Sequence, residues 1–214
     1  MKSLLLGIFA IILLGIGGLV YRNAIEHPKQ PIACPLSKLQ CPDGTFVESA
    51  GPSCIFPVCP APNVSLSDIG VTFAIPTNFG VAELPDATSV AAYELPTTAS
   101  STKNAKIVIR RFLIAASSTA LATIQQTAIG TVSNLPVSAT AYSSTVLGTR
   151  PFTVVSIGRL DGVVETAYYF KRATDVVRFD AIDTGVTNWT NPNLDISTLP
   201  AHAALRGLLT TLQG

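Results

Sequence analysis

Beyond residue 63 the apolar positions recur mostly every second residue, in short runs broken by Gly, Pro, Asp and Thr, which is the signature of half-buried strands joined by turns. Early strands are expected at Val71-Thr-Phe-Ala-Ile75 and Val90-Ala-Ala-Tyr-Glu-Leu95, each stopped by a proline, and at residues 106–114. A helix follows at 119–129, capped by Ser117 or Ser118, with Leu121, Ile124, Ala128 and Ile129 near one face. Four more strands are expected at 137–147, 152–160, 163–171 and 175–183. Asp161-Gly162 provides a two-residue hairpin turn between the second and third, and Ala173-Thr174 marks the next reversal. Leu199, Ala203, Leu205, Leu208, Leu209 and Leu212 then line an amphipathic helix with Ser197 as its cap.

An antiparallel meander must cover its apolar face, and two helices separated by strands can do so. The expected class is α+β, an antiparallel sheet packed with two helices over residues 64–214. If Asp161-Gly162 closes a regular hairpin, Val155, Ile157, Val164, Tyr168 and Phe170 share the core face with Val177 and Phe179. The order of elements, the opening Val71-Thr-Phe-Ala-Ile-Pro76 strand and the closing Ala204-Leu-Arg-Gly-Leu-Leu-Thr-Thr-Leu212 helix resemble the PsbP-like α/β/α domain, over roughly residues 66 to 213. That resemblance implies a layered fold and no particular activity.

The N-terminal pattern is different. Residues 3–21 carry no charge, are bracketed by Lys2 and Arg22, and come close to the ~20 apolar residues that cross a bilayer. No convincing small-x-small cleavage site follows, so residues 1–22 are expected to remain as a transmembrane anchor contacting the lipid bilayer. Residues 23–63 are rich in proline and hold all four cysteines, Cys34, Cys41, Cys54 and Cys59. An even number of cysteines in so short a stretch predicts disulfides in an oxidising compartment, with three connectivities open. Four thiolates can also bind zinc, but no Cys-x2-Cys knuckle occurs, and no metal or other cofactor is expected. The flanking charges do not fix the orientation of the anchor. The cysteines do, by placing the C-terminal domain outside the cytoplasm, in the cell envelope.

Cys41-Pro-Asp-Gly, followed by Gly-Pro-Ser-Cys54 and Cys59-Pro, supplies turns for a small stapled hairpin. Residues 34–60 resemble a short cysteine-rich element of uncharacterised bacterial envelope proteins. The resemblance implies location and disulfides and implies no activity.

Composition narrows the remaining chemistry. Charged residues make up 13% of the chain and the net charge is +1, without a basic stripe, so nucleic acid is excluded as an expected partner. No Gly-x-Ser-x-Gly elbow, His-Glu-x-x-His helix or phosphate-binding glycine loop occurs. Of the two histidines, His27 falls in the proline-rich segment and His202 is expected at the surface or as a cap. Asn63-Val-Ser65 and Asn188-Trp-Thr190 match the glycosylation pattern and are read as chance matches.

The candidate ligand or partner face is the other side of the meander, where Glu165, Tyr169, Lys171, Arg178 and Asp180 project together. In the assumed register Tyr169 lies opposite Arg178 and Ala167 opposite Asp180. The ordinary reading of such a face is a solvated sheet surface with cross-strand ion pairs. Arg110 and Arg111, being consecutive in a strand, face opposite ways and form no single anion clamp. The expected function is therefore a membrane-anchored, non-enzymatic binding or accessory module with an envelope protein as candidate partner. The alternatives are an enzyme or ligand site on the charged face, and an accessory subunit of a membrane complex.

Overall fold

A computed structural model describes residues 38–41, 46–49, 54–56, 59, 62–96, 104–130 and 134–214. The expected span 3–21 and Cys34 lie outside the described residues. Among the described residues no helix is long and apolar enough to cross a membrane.

The strands are β1 (Lys38–Gln40), β2 (Phe46–Glu48), β3 (Val64–Leu66), β4 (Val71–Phe73), β5 (Gly80–Val81), β6 (Ser89–Glu94), β7 (Ala105–Leu113), β8 (Tyr142–Leu147), β9 (Arg150–Leu160), β10 (Val163–Lys171) and β11 (Asp175–Asp183). The helices are α1 (Ala120–Thr127) and α2 (Pro200–Thr210). β1 pairs with β2, and β3 with β4. The other seven strands form one sheet in the order β5-β6-β7-β11-β10-β9-β8. After β7 the chain crosses through α1 to the far edge and returns as the meander β8 to β11, which brings β11 antiparallel beside β7. The mixed α and antiparallel β class expected from the sequence is therefore present.

The two helices lie against opposite faces of this sheet. One core holds Phe73, Ile107, Ile109, Tyr168, Phe170, Val177 and Phe179 together with Leu205, Leu208 and Leu209 of α2. The other, smaller core joins Ile124 and Ala128 to Val155, Ile157, Ala167, Tyr169 and Val176. Each large side chain withdrawn from water in these cores favours the fold by about 1.5–3 kcal/mol over its exposed state.

The Asp161-Gly162 turn has both residues in the left-handed region, φ 50° and 79°, as the tight hairpin of a right-twisted strand pair requires. Past it, Glu165 pairs with Gly158 but Thr166 pairs with Ser156, so Ile157 is an extra residue in β9. This bulge corrects the expected face assignment. A one-residue shift moves Val155 and Ile157 to the α1 side and puts Val154 opposite Tyr168.

Local capping differs from expectation at both helices. At α1 the cap is Thr119, whose Oγ1 accepts the Ala122 N–H at 3.1 Å, rather than Ser117 or Ser118; Leu121 faces solvent. The eighth strand starts at Tyr142 rather than 137, because Ser138 caps a 3-10 turn over Ala139–Ala141. Ser197 sits in another such turn and donates to Asp195, while α2 begins at Pro200 with no side-chain cap from its N-cap residue, Leu199. Asp183, at the end of β11, serves instead: its carboxylate accepts the N–H groups of Ala201 and His202 at 2.9 and 3.3 Å. A negative charge against the free N–H groups of a helix start satisfies donors that would otherwise be buried unpaired.

Cys41 and Cys59 are bonded, with a sequence separation of 18. Closing a loop of that size removes denatured-state freedom equivalent to about 3 kcal/mol. Cys54 is also disulfide-bonded, and its partner lies outside the described residues. With Cys41 and Cys59 joined, a four-thiolate zinc site does not form. Separately, Lys38 and Glu48 make an exposed ion pair at 3.2 Å, of the kind that contributes little to stability.

Candidate functional site

The register that creates the charged constellation is observed: Tyr169 pairs with Arg178, and Ala167 with Asp180. Glu165, Tyr169, Arg178 and Asp180 therefore do project from one side of adjacent strands. They are not, however, a solvated surface. Asp180 is 0% exposed, and Glu165, Tyr169 and Arg178 are also buried, because α1 and its flanking segments lie over β9, β10 and β11. Lys171, at the strand end, is exposed and apart from the cluster.

Arg178 is the hub. Its Nε donates to Asp180 Oδ1 at 2.5 Å, its Nη2 to Glu165 Oε1 at 3.3 Å, and its Nη1 to the backbone carbonyl of Thr127 at 2.7 Å. Its guanidinium also lies 5.6 Å from the centre of the Tyr169 ring. The second carboxylate oxygen of Asp180 accepts from Arg110 of β7, and Arg110 also donates to Asp86 at 3.1 Å. Five charged side chains thus alternate in sign from Glu165 to Asp86, running from the sheet interior to the loop before β6. Arg178 anchors the last turn of α1 to the sheet, where a cation suits the carbonyl end of a helix.

Burial pushes the Arg178 pKa down, an effect its neighbours Tyr169 and Glu165 oppose. Burial likewise pushes the Tyr169 hydroxyl up, against the lowering influence of nearby Arg178 and Thr127, and no hydrogen bond of good geometry satisfies that buried oxygen. Desolvation raises the Asp86 pKa, but hydrogen bonds from Thr88 and Ser89 and the charge of Arg110 outweigh it and hold the carboxyl well below the usual range. The charged side chains of the cluster bind one another, and Arg178 also binds α1. Removing one partner would strand a buried charge, which is far costlier than the net worth of the intact network.

Arg111 faces the other way, as consecutive strand residues must, and belongs to a second cluster. Its Nε donates to Asp175 Oδ2 at 2.7 Å, and Arg172 grips both oxygens of the same carboxylate at 2.6 Å. The Arg172 hydrogen bonds, against desolvation and with help from Arg111, lower the Asp175 pKa.

His202 is fully buried, correcting the expectation of a surface or capping residue. Its Nδ1 lies 2.7 Å from Asp183 Oδ2, and its Nε2 lies 3.0 Å from Thr166 Oγ1. An ionised carboxylate only accepts, so Nδ1 is the donor. The order Asp–His–Thr parallels a base-assisted nucleophile, with Thr166 and His202 buried between the sheet and α2. The arrangement ties the start of α2 to two strands.

Sequence reasoning missed Asp86 and the Thr127 carbonyl, and it set Arg110 on the face opposite Arg111 without joining it to the cluster. Period-two alternation places Arg110 on a definite face of its strand, but nothing in the sequence sets β7 beside β11. His202 gave even less signal, since an isolated histidine in a helix has no partner nearby in the chain.

Among the described residues no group of three or more His, Cys, Asp or Glu side chains is placed to hold a metal. Two concavities border α2. One, about 640 Å³, runs between α2 and the Pro76–Phe79 turn, with Cys41 and Leu95 at its margin. A smaller one, about 200 Å³, is lined by Asn104, Asp183, Val186 and Pro200.

Neither a family model nor a curated protein matches the chain. Among solved structures it is similar to a 1.50 Å crystal structure of a protein from Bacteroides thetaiotaomicron, at 11% identity and a TM-score of 0.39. That match covers 67% of this chain and 44% of the other.

Proposed function

We propose that the chain is a membrane-anchored, extracytoplasmic, non-enzymatic binding or accessory module of the cell envelope. The observation that carries this reading is the Cys41–Cys59 disulfide, because such bonds persist in oxidising compartments and are rare where thiols are kept reduced. The uncharged run at residues 3–21 supports the anchor. The helix-sheet-helix layering supports the PsbP-like α/β/α resemblance, on which a role as an accessory subunit of a membrane complex also rests. The non-enzymatic part is supported by the charged cluster, whose arginines and carboxylates bind one another and α1 rather than facing a cleft.

An alkaline carbonate wash of membranes from cells producing the full chain tests the anchor. The reading requires the protein in the pellet, and recovery in the wash would remove the anchor from the account. Extraction in mild detergent followed by crosslinking tests the complex: an adduct with another membrane protein supports it, and recovery of the monomer alone counts against it.

A further inference from the structure

The two edges of the seven-stranded sheet differ in kind. At one, β5 is only two residues long, Gly80–Val81. At the other, β8 runs six residues, Tyr142–Leu147, in unbroken register with β9. Free edges of this length normally carry a charge, a proline or a bulge that blocks further pairing. The sequence Tyr-Ser-Ser-Thr-Val-Leu has none of these, Ser143 and Ser144 are exposed, and Val146 is 66% exposed.

The backbone pattern of this edge follows from its hairpin. Leu147 and Arg150 flank the two-residue loop Gly148-Thr149, and the pair closing such a loop exchanges both hydrogen bonds. Alternation then turns the N–H and C=O of Ser144 and Val146, and the C=O of Tyr142, away from β9. The Tyr142 N–H is already bonded to the Ala139 carbonyl.

We infer that β8 pairs antiparallel with β8 of a second copy of this chain, about a two-fold axis through Ser144, to make one continuous sheet. An axis perpendicular to the sheet keeps the same face up in both copies, so residues opposite one another must have the same parity. Centring on Ser144 meets that condition and sets Ser144 opposite Ser144, Tyr142 opposite Val146, and Ser143 opposite Thr145. The outward groups then match: Ser144 N–H to Ser144 C=O, and Val146 N–H to Tyr142 C=O, each made twice by symmetry. The exposed Val146 gains an aromatic neighbour.

A like partner fits this edge better than a foreign strand of either charge. Symmetric pairing would be penalised by any charged residue on β8, and there is none, whereas a charged foreign strand would find nothing there to select it. A contact built on one strand pair is smaller than the ~1,000 Å² of a stable interface, so the dimer is weak and is best caught covalently.

The full chain in detergent, carrying Ser144→Cys or Ser143→Cys, is treated with a mild oxidant and run on a non-reducing gel. In a hydrogen-bonded pair the two residues at 144 have Cα atoms about 5.5 Å apart, within disulfide reach. Those at 143 are two positions out of step and roughly 8 Å apart, beyond it. At least ten-fold more dimer is expected from Ser144→Cys than from Ser143→Cys, and adding Val146→Lys should suppress it. Equal coupling at both positions, no dimer from protein shown folded by its circular dichroism, or Ser144→Cys coupled to a different protein would each overturn the pairing.

Discussion

Replacing Asp180 with alanine is the sharpest test of the charged cluster as a clamp for α1. The carboxylate is 0% exposed and accepts from Arg178 and from Arg110, whose side chain is 15% exposed. Its removal leaves two guanidiniums facing each other across the β7–β11 pair with no counter-ion between them. Breaking one partner out of a buried ion network costs about 3–5 kcal/mol. For a domain of this size each kcal/mol shifts the melting temperature by roughly 2–4 °C, so a fall of about 6–20 °C is expected. Thermal and urea unfolding with the disulfide intact would read it, and adding Arg178→Met should recover at least ~1 kcal/mol relative to the sum of the single changes. A loss below ~1 kcal/mol for Asp180→Ala, or strict additivity with Arg178→Met, would refute the clamp and return these side chains to a solvated sheet face.

Three further outcomes follow from other parts of the fold. His202→Leu keeps the bulk between sheet and α2 but removes the bond to Asp183, and should lower unfolding free energy by about 1–3 kcal/mol; Asp183→Ala should cost more, because the Ala201 and His202 N–H groups lose their acceptor too. Gly148 and Gly70 have the same φ of 61°, but a Cβ at Gly148 would lie 2.6 Å from the Thr210 carbonyl oxygen while one at Gly70 meets nothing within 4 Å. Gly70→Ala should therefore cost about 1–2 kcal/mol of backbone strain, and Gly148→Ala clearly more, in the same denaturation assay. The lowered pKa of Asp175 gives stability that is present above the unfolded carboxylate value near ~3.9 and lost as pH falls through the folded value. Melting temperature should thus drop as pH falls below the unfolded carboxylate value, and Asp175→Asn, already less stable at pH 7, should show a shallower drop.

Much of the fold was legible because strand alternation and tight turns are local signals. β10 and β11 have the expected bounds, and the left-handed pair Asp161-Gly162 turns the chain as expected. The β9 bulge was not legible: nothing in Ile157-Gly158 distinguishes an extra residue from regular pairing, and that one residue reversed the face of Val155 and Ile157. The charged constellation was found by parity, but its burial was not. Whether a face is wet depends on what crosses above it, and the placement of α1 over β9, β10 and β11 is a tertiary fact. The same holds for His202, whose partners Thr166 and Asp183 lie 36 and 19 residues away.

The most direct test of the proposed location is labelling of intact cells producing the full chain with a membrane-impermeant maleimide, with and without prior reductant. The account predicts no labelling until reductant is added, and labelling of cysteines including Cys41 and Cys59 afterwards. Prompt labelling without reductant would contradict the disulfides, and absence of labelling after reduction would place the domain on the other side of the membrane.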